Sequence, residues 1–171
     1  ASARRRRPGG SSGSLELGRR EVLSALRGSV TLDASAIIEY LTGTELGRIV
    51  KGYLEALRPE EKVYCSLYNI SEIFYVLCRL KGLEYAAERI NEMLTSRVVE
   101  VDNTEEMALE AGRLKCERAI SIGDCSCIAT AKITRSRAVF AQREKELANE
   151  MGREPFAVEV LFLAELDTAD G

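Results

Sequence analysis

Ser29-Val30-Thr31-Leu32-Asp33-Ala34-Ser35-Ala36-Ile37-Ile38 is the stretch from which the fold can be read. A short β-rich run ends in a carboxylate and passes through two small residues into an apolar helical pattern. The alternation then repeats along the chain. Strands are expected at 29–33, 62–66, 97–101, 137–141 and 157–161, with helices near 35–41, 44–57, 69–80, 83–95, 104–118, 124–133 and 143–151. The helices rest on periodicity: Ile73, Val76, Leu77 and Leu80 fall at i, i+3, i+4 and i+7, and Met107, Leu109, Ala111 and Leu114 are spaced for a partly buried face. Strands alternating with helices are the sequence form of βαβ units, so the expected class is α/β, a five-stranded parallel sheet with helices on both faces. Ligands in such sheets bind beyond the carboxyl ends of the strands, at a switch point in strand order.

Upstream of this stretch the composition changes. Residues 1–28 hold seven Arg against Glu16 and Glu21, a charge of +5 that leaves −8 on the rest of the chain. Residues 1–14, with Arg4 to Arg7 followed by Pro8 and a Gly/Ser run, lack the apolar side chains to order themselves. Residues 15–27 could form a short amphipathic helix through Leu17, Val22, Leu23 and Leu26. The expected division is therefore a flexible Arg-rich and Gly/Ser-rich segment, 1–28, and a folded domain, 29–171.

Composition removes whole classes of chemistry. The 171 residues include no His and no Trp. Imidazole general acid/base catalysis, His-dependent nucleophile systems and His-ligated metal centres are thereby excluded. Five cysteines (65, 78, 116, 125 and 127) form no C-x-x-C pair and read as small buried hydrophobes. No apolar stretch is long enough for a membrane span, and the Arg run at 4–7 is not followed by the apolar core of a signal peptide. With unpaired thiols, this points to the reducing cytoplasm.

The acids are lopsided, 22 Glu against five Asp. Asp33 closes the first strand, where it aims at the ligand crevice or caps the next helix. Glu72 sits in Asn69-Ile70-Ser71-Glu72, whose spacing also suits a capping box. Asp124 opens a helix of small residues, Gly123-Asp124-Cys125-Ser126-Cys127-Ile128-Ala129-Thr130-Ala131. After the fourth strand, Glu144 shares a helical face with Leu147 and Met151, which makes it a better candidate than Glu146. Asp102, Asp167 and Asp170 lack such settings. Each of the four candidates has a local structural explanation, but caps chosen independently need not gather at one end of a sheet. Carboxylates that converge repel one another unless protonated or neutralised, and hard divalent cations take oxygen ligands. Such ions support phosphodiester hydrolysis without His.

Val30-Thr31-Leu32-Asp33-Ala34-Ser35, Ser71-Glu72-Ile73, Glu110-Ala111-Gly112-Arg113-Leu114 and the run from Gly123 to Ala131 resemble, in order and spacing, the successive motifs of PIN domains, especially VapC-like toxin ribonucleases. The resemblance covers about residues 29–162. It implies a PIN-like fold and a Mg²⁺- or Mn²⁺-dependent endoribonuclease. Asp33, Glu72 and Asp124 take the main acidic positions, and Ser35 and Thr130 are supporting polar groups. It further implies an RNA substrate, a small antitoxin partner and a homodimer. The segment after strand four departs from the family's Thr-x-Asp-like pattern and reads Ala141-Gln142-Arg143-Glu144, so Glu144 stands where a shorter acid is usual. The alternatives are an RNA-processing nuclease without an antitoxin and a non-catalytic RNA-binding or scaffold PIN domain.

Overall fold

The structure, a computed structural model, describes residues 25–167. The expected disorder of residues 1–14, most of the helix expected over 15–27, and Asp170 lie outside those residues. Five strands, β1 (Val30–Leu32), β2 (Val63–Ser66), β3 (Glu100–Asp102), β4 (Arg137–Phe140) and β5 (Val160–Phe162), form one sheet in the order β3-β2-β1-β4-β5. All four pairings are parallel, with Val30 opposite both Val63 and Arg137. The chain runs from β1 outward to β2 and β3, then returns to the other side of β1 for β4 and β5. The switch point lies between β1 and β4, at the strand end that carries Asp33.

Between the strands run α1 (Ala34–Thr42), α2 (Glu45–Glu55), α3 (Leu67–Lys81), α4 (Leu83–Ser96), α5 (Glu105–Glu117), α6 (Ile122–Thr134), α7 (Lys145–Arg153) and the short α8 (Leu163–Asp167). The period-2 pattern of the strands divides two cores. Val30, Leu32, Val63, Cys65 and Val139 face the layer built from α1 to α4, whereas Ala138, Phe140 and Phe162 face α5, α6 and α7. Polar caps start the helices: the side chains of Thr44, Ser66, Thr104 and Ser121 accept N–H bonds from Gly47, Asn69, Met107 and Asp124, using donors a helix start leaves unpaired.

Several expectations need correction. The strand expected at 97–101 begins only at Glu100, because Arg97 takes the left-handed conformation that ends α4 and Val98 is exposed. The strand expected at 157–161 begins at Val160, and Asp167 belongs to α8 instead of a tail. On α5 the buried stripe is Met107, Ala111 and Leu114, with Leu109 pointing to solvent. On α3 it is Ile73 and Leu77, and Leu80 is exposed. Cys116 is also exposed; Cys65, Cys125 and Cys127 are the buried thiols. Packing reaches past the boundary drawn at residue 29, since Leu26 is buried in the first core and Tyr53 Oη donates to the Gly28 carbonyl at 2.5 Å.

Candidate active site

Asp33 ends β1 and is the N-cap of α1. Its N–H donates to the Val139 carbonyl at 2.9 Å, which fixes it between β1 and β4. Its Oδ2 accepts from Ser35 N–H at 2.9 Å and Ser35 Oγ at 2.7 Å, and Ser35 Oγ accepts in turn from Ala141 N–H at 3.1 Å. Ser35 therefore joins the ends of β1 and β4 and orients the Asp33 carboxylate. Asp33 is 5% exposed. Burial raises its pKa to about 6, outweighing the Ser35 bonds that lower it, and the Glu72 charge adds to the rise.

Glu72 lies in the second turn of α3. The capping box expected from Asn69 and Glu72 does not form: Ser66 is the cap, and Asn69 is its third helical residue. Glu72 is thus free of capping duty. Its pKa is raised by burial first and by the Asp124 and Glu144 charges, against a lowering bond from Asn69.

Asp124 does close a capping box, but as the partner of Ser121 and not as the cap itself. Its Oδ2 accepts from Ser121 N–H at 3.3 Å while Ser121 Oγ accepts from Asp124 N–H at 3.0 Å. Burial again raises the pKa to about 6, with the Asp33 charge the next cause. Structural and site roles coexist in this residue. Glu144 is the exposed N-cap of α7, makes no capping bond, and acts on Glu72 and Asp124 through its charge. It occupies the rim.

Two residues that hold this arrangement together were not singled out in the sequence. Asn69 is wholly buried, and its Nδ2 lies 3.3 Å from Asp33 Oδ1, 3.4 Å from Glu72 Oε2 and 3.4 Å from the Gly123 carbonyl. Two amide protons are shared among three acceptors from three elements. Ser66 Oγ donates to Asn69 Oδ1 at 2.5 Å, which fixes the amide's orientation. Gly123 leaves room for the Glu72 carboxylate: a Cβ there would stand 2.7 Å from Glu72 Oε2 and push it aside. Asn69 was legible only as a polar residue at a helix start, and Gly123 only as one small residue among several.

Thr130 lies six residues past Asp124, roughly 9 Å along the helix axis. No hydrogen bond among the described residues joins it to the acids, and its buried Oγ1 has no partner. The structure thus couples Asp33, Glu72, Asp124 and Glu144 electrostatically, places Ser35 beside Asp33, and sets Thr130 apart.

Among the described residues, none of the ion pairs involves Asp33, Glu72, Asp124 or Glu144. Among those residues, too, no three of His, Cys, Asp and Glu are arranged to hold a metal ion directly. A magnesium-type ion does not require three: it dehydrates reluctantly and is commonly bound through one or two carboxylates with water and substrate phosphates. The donors are all hard oxygens, and the charge repulsion that adds to burial in raising Asp33, Glu72 and Asp124 is what a divalent cation would relieve. In donor chemistry the residues fit such an ion.

No curated protein sequence matches the chain. Among solved structures, VapC20 of Mycobacterium tuberculosis, described as a Sarcin-Ricin loop cleaving toxin, is 20% identical with a TM-score of 0.56, over 71% of this chain and 94% of that one. VapBC2 from Rickettsia felis, bound to a DNA fragment from its promoter, is 16% identical with a TM-score of 0.59, over 78% and 98%. A toxin-antitoxin complex from Klebsiella pneumoniae is 16% identical with a TM-score of 0.54, over 79% and 98%. At these identities the likeness is one of fold. A family model described as PIN domain matches residues 30–149, from the strand that delivers Asp33 into the helix that follows Glu144. The match spans well over half of the sequence, and the chain belongs to the PIN domain family.

Proposed function

We propose that the protein is a metal-dependent endoribonuclease that hydrolyses RNA phosphodiester bonds, acting as the toxin of a toxin-antitoxin pair. The observation that carries this reading is the group of partly buried carboxylates at the switch point with no cationic side chain paired to them among the described residues. Family membership supports it, as does the toxin-antitoxin description of the Klebsiella pneumoniae structure.

Asp33 and Asp124 would hold a Mg²⁺ or Mn²⁺ ion, with Glu72 beside them and Glu144 at the rim. Ser35 and Asn69 keep the carboxylates aimed by spending their own donors on Asp33 and Glu72. The ion, when bound, lowers the pKa of water and offsets charge on the phosphate. Exposed apolar side chains, among them Leu80, Leu83 and Leu94, offer area for an antitoxin or a second copy of the chain, in line with the expected homodimer. No helix among the described residues is long and apolar enough to cross a membrane. A cytoplasmic site of action suits the free thiols.

The test is cleavage of an unstructured RNA with Mg²⁺ or Mn²⁺, repeated in chelator. Metal-dependent cleavage that disappears in chelator and in Asp124→Asn is expected. Chelator-resistant cleavage would overturn the assignment. RNA binding without cleavage under all conditions would favour the scaffold reading, for which the exposed and unanchored Glu144 is the supporting observation.

A further inference from the structure

A cleft of about 250 Å³ is lined by none of the four candidate acids. It opens between α5, α6 and the carboxyl ends of β2 and β3. Met107, Ala111 and Thr130 form its buried part, and Tyr68, Asp102 and Asn103 line it nearer to solvent. Thr130 is 1% exposed, and its Oγ1 has no hydrogen-bond partner among the described residues. A hydroxyl without a protein partner in a roomy, partly apolar cleft is available to pair with a group that enters it.

The cleft and the acids share two joints. Ser66, on the cleft wall, donates to Asn69, whose amide touches Asp33 and Glu72. Ile122, also on the wall, is two residues from Asp124. The volume falls below the roughly 300–1,000 Å³ of sites for drug-sized molecules, so it suits a single flat ring system. Tyr68, 48% exposed, offers an aromatic face at the mouth. Unstacked RNA bases are recognised in this way, by stacking on aromatic rings and hydrogen bonds to their edges. Asp102 uses Oδ1 to accept from Asn103 N–H at 2.8 Å, which leaves its other carboxylate oxygen able to accept from a base amine.

We propose that the cleft lined by Tyr68, Asp102, Met107 and Thr130 is a base-binding subsite that seats one nucleobase of the RNA, is joined to the acids through Ser66 and Asn69, and prefers bases with an exocyclic amine over uracil. This rests on the ribonuclease reading for its substrate, but the binding itself needs neither metal nor phosphate. The test uses free nucleosides with the metal-free, full-length wild-type protein, followed through backbone amide NMR shifts. Guanosine, cytidine or adenosine should move the amides of Met107, Ala111 and Thr130, with uridine weakest. Ala108→Phe, which places a ring on the exposed side of the cleft, should abolish the shifts. Thr130→Val should weaken binding about tenfold. In a mixed-sequence RNA, Ala108→Phe should still permit cleavage but flatten any base preference at the cut site. Amides unmoved by millimolar nucleoside, or a cut-site preference that survives Ala108→Phe, would overturn the subsite. Nucleoside binding in a protein that never cleaves RNA would sustain the subsite and instead defeat the ribonuclease reading.

Discussion

Two regions of this molecule carry partly buried acids and treat them in opposite ways. Along the outer side of α5, α6 and α7, Glu110 receives Arg113 at 2.7 Å and Lys132 at 2.6 Å. Its pKa falls to about 2, with the Arg113 bond the largest cause. Glu150 is likewise held by Arg153 at 2.6 Å and lies 3.7 Å from Arg118. By contrast, Asp33, just past β1, and Asp124, in the first turn of α6, are raised to about 6 by burial, to which the Glu72 charge adds at Asp33 and the Asp33 charge adds at Asp124. Net charge alone would not distinguish the two. The outer acids are neutralised by the chain's own cations, whereas none of the ion pairs among the described residues reaches the inner ones, which is where the proposed divalent cation would act.

The largest break in this contrast is expected from Asp33→Asn and Asp124→Asn. Each should reduce metal-dependent RNA cleavage to background, because Asn keeps the shape and loses the charge. The fold should survive in both, since Asn caps a helix about as well as Asp at position 33. Circular dichroism and a melting curve check the second half. Glu72→Gln should follow in size. Ser66 and not Asn69 caps α3, so the change costs within about 0.5 kcal/mol of stability while cleavage falls steeply.

The pH dependence of stability runs in opposite directions in the two regions. Asp33 titrates higher in the folded chain than in the unfolded one, so its contribution is complete below pH 3.8 and is lost as pH rises through about 6. Without metal, Asp33→Asn should therefore gain melting temperature relative to wild type between pH 4 and pH 6.5. About 2–4 °C accompany each kcal/mol in a chain of this size. Glu110 behaves in the reverse sense: its contribution is present above pH 4.5 and is lost as pH falls toward about 2. The smallest expected effect is that of Glu110→Gln, a loss of about 1 kcal/mol at pH 7 with cleavage unchanged. A Glu110→Gln protein that kept its stability but lost cleavage would erase the distinction between the regions.

The alternation starting at Val30 was enough to read a parallel sheet with helices on both faces, because buried strands and amphipathic helices have different periods. Strand ends were less legible, since Arg97 gives no local sign of the left-handed turn that delays β3. Asp33 and Asp124 could be picked out because they follow or precede apolar runs. The setting of Glu72 was less legible: Asn69 looks like a cap, and only the fold shows it bridging Asp33, Glu72 and Gly123. Such a role depends on residues 36 and 54 positions away, and no local pattern encodes it.

The central claim is that the inner acids await a divalent cation, and Mn²⁺ binding followed by electron paramagnetic resonance tests it without reference to any RNA. Wild-type protein and Glu110→Gln should bind Mn²⁺ alike, and Asp33→Asn and Asp124→Asn should lose that binding. Equal binding in all four proteins, or none in the wild type at millimolar Mn²⁺, would contradict the account.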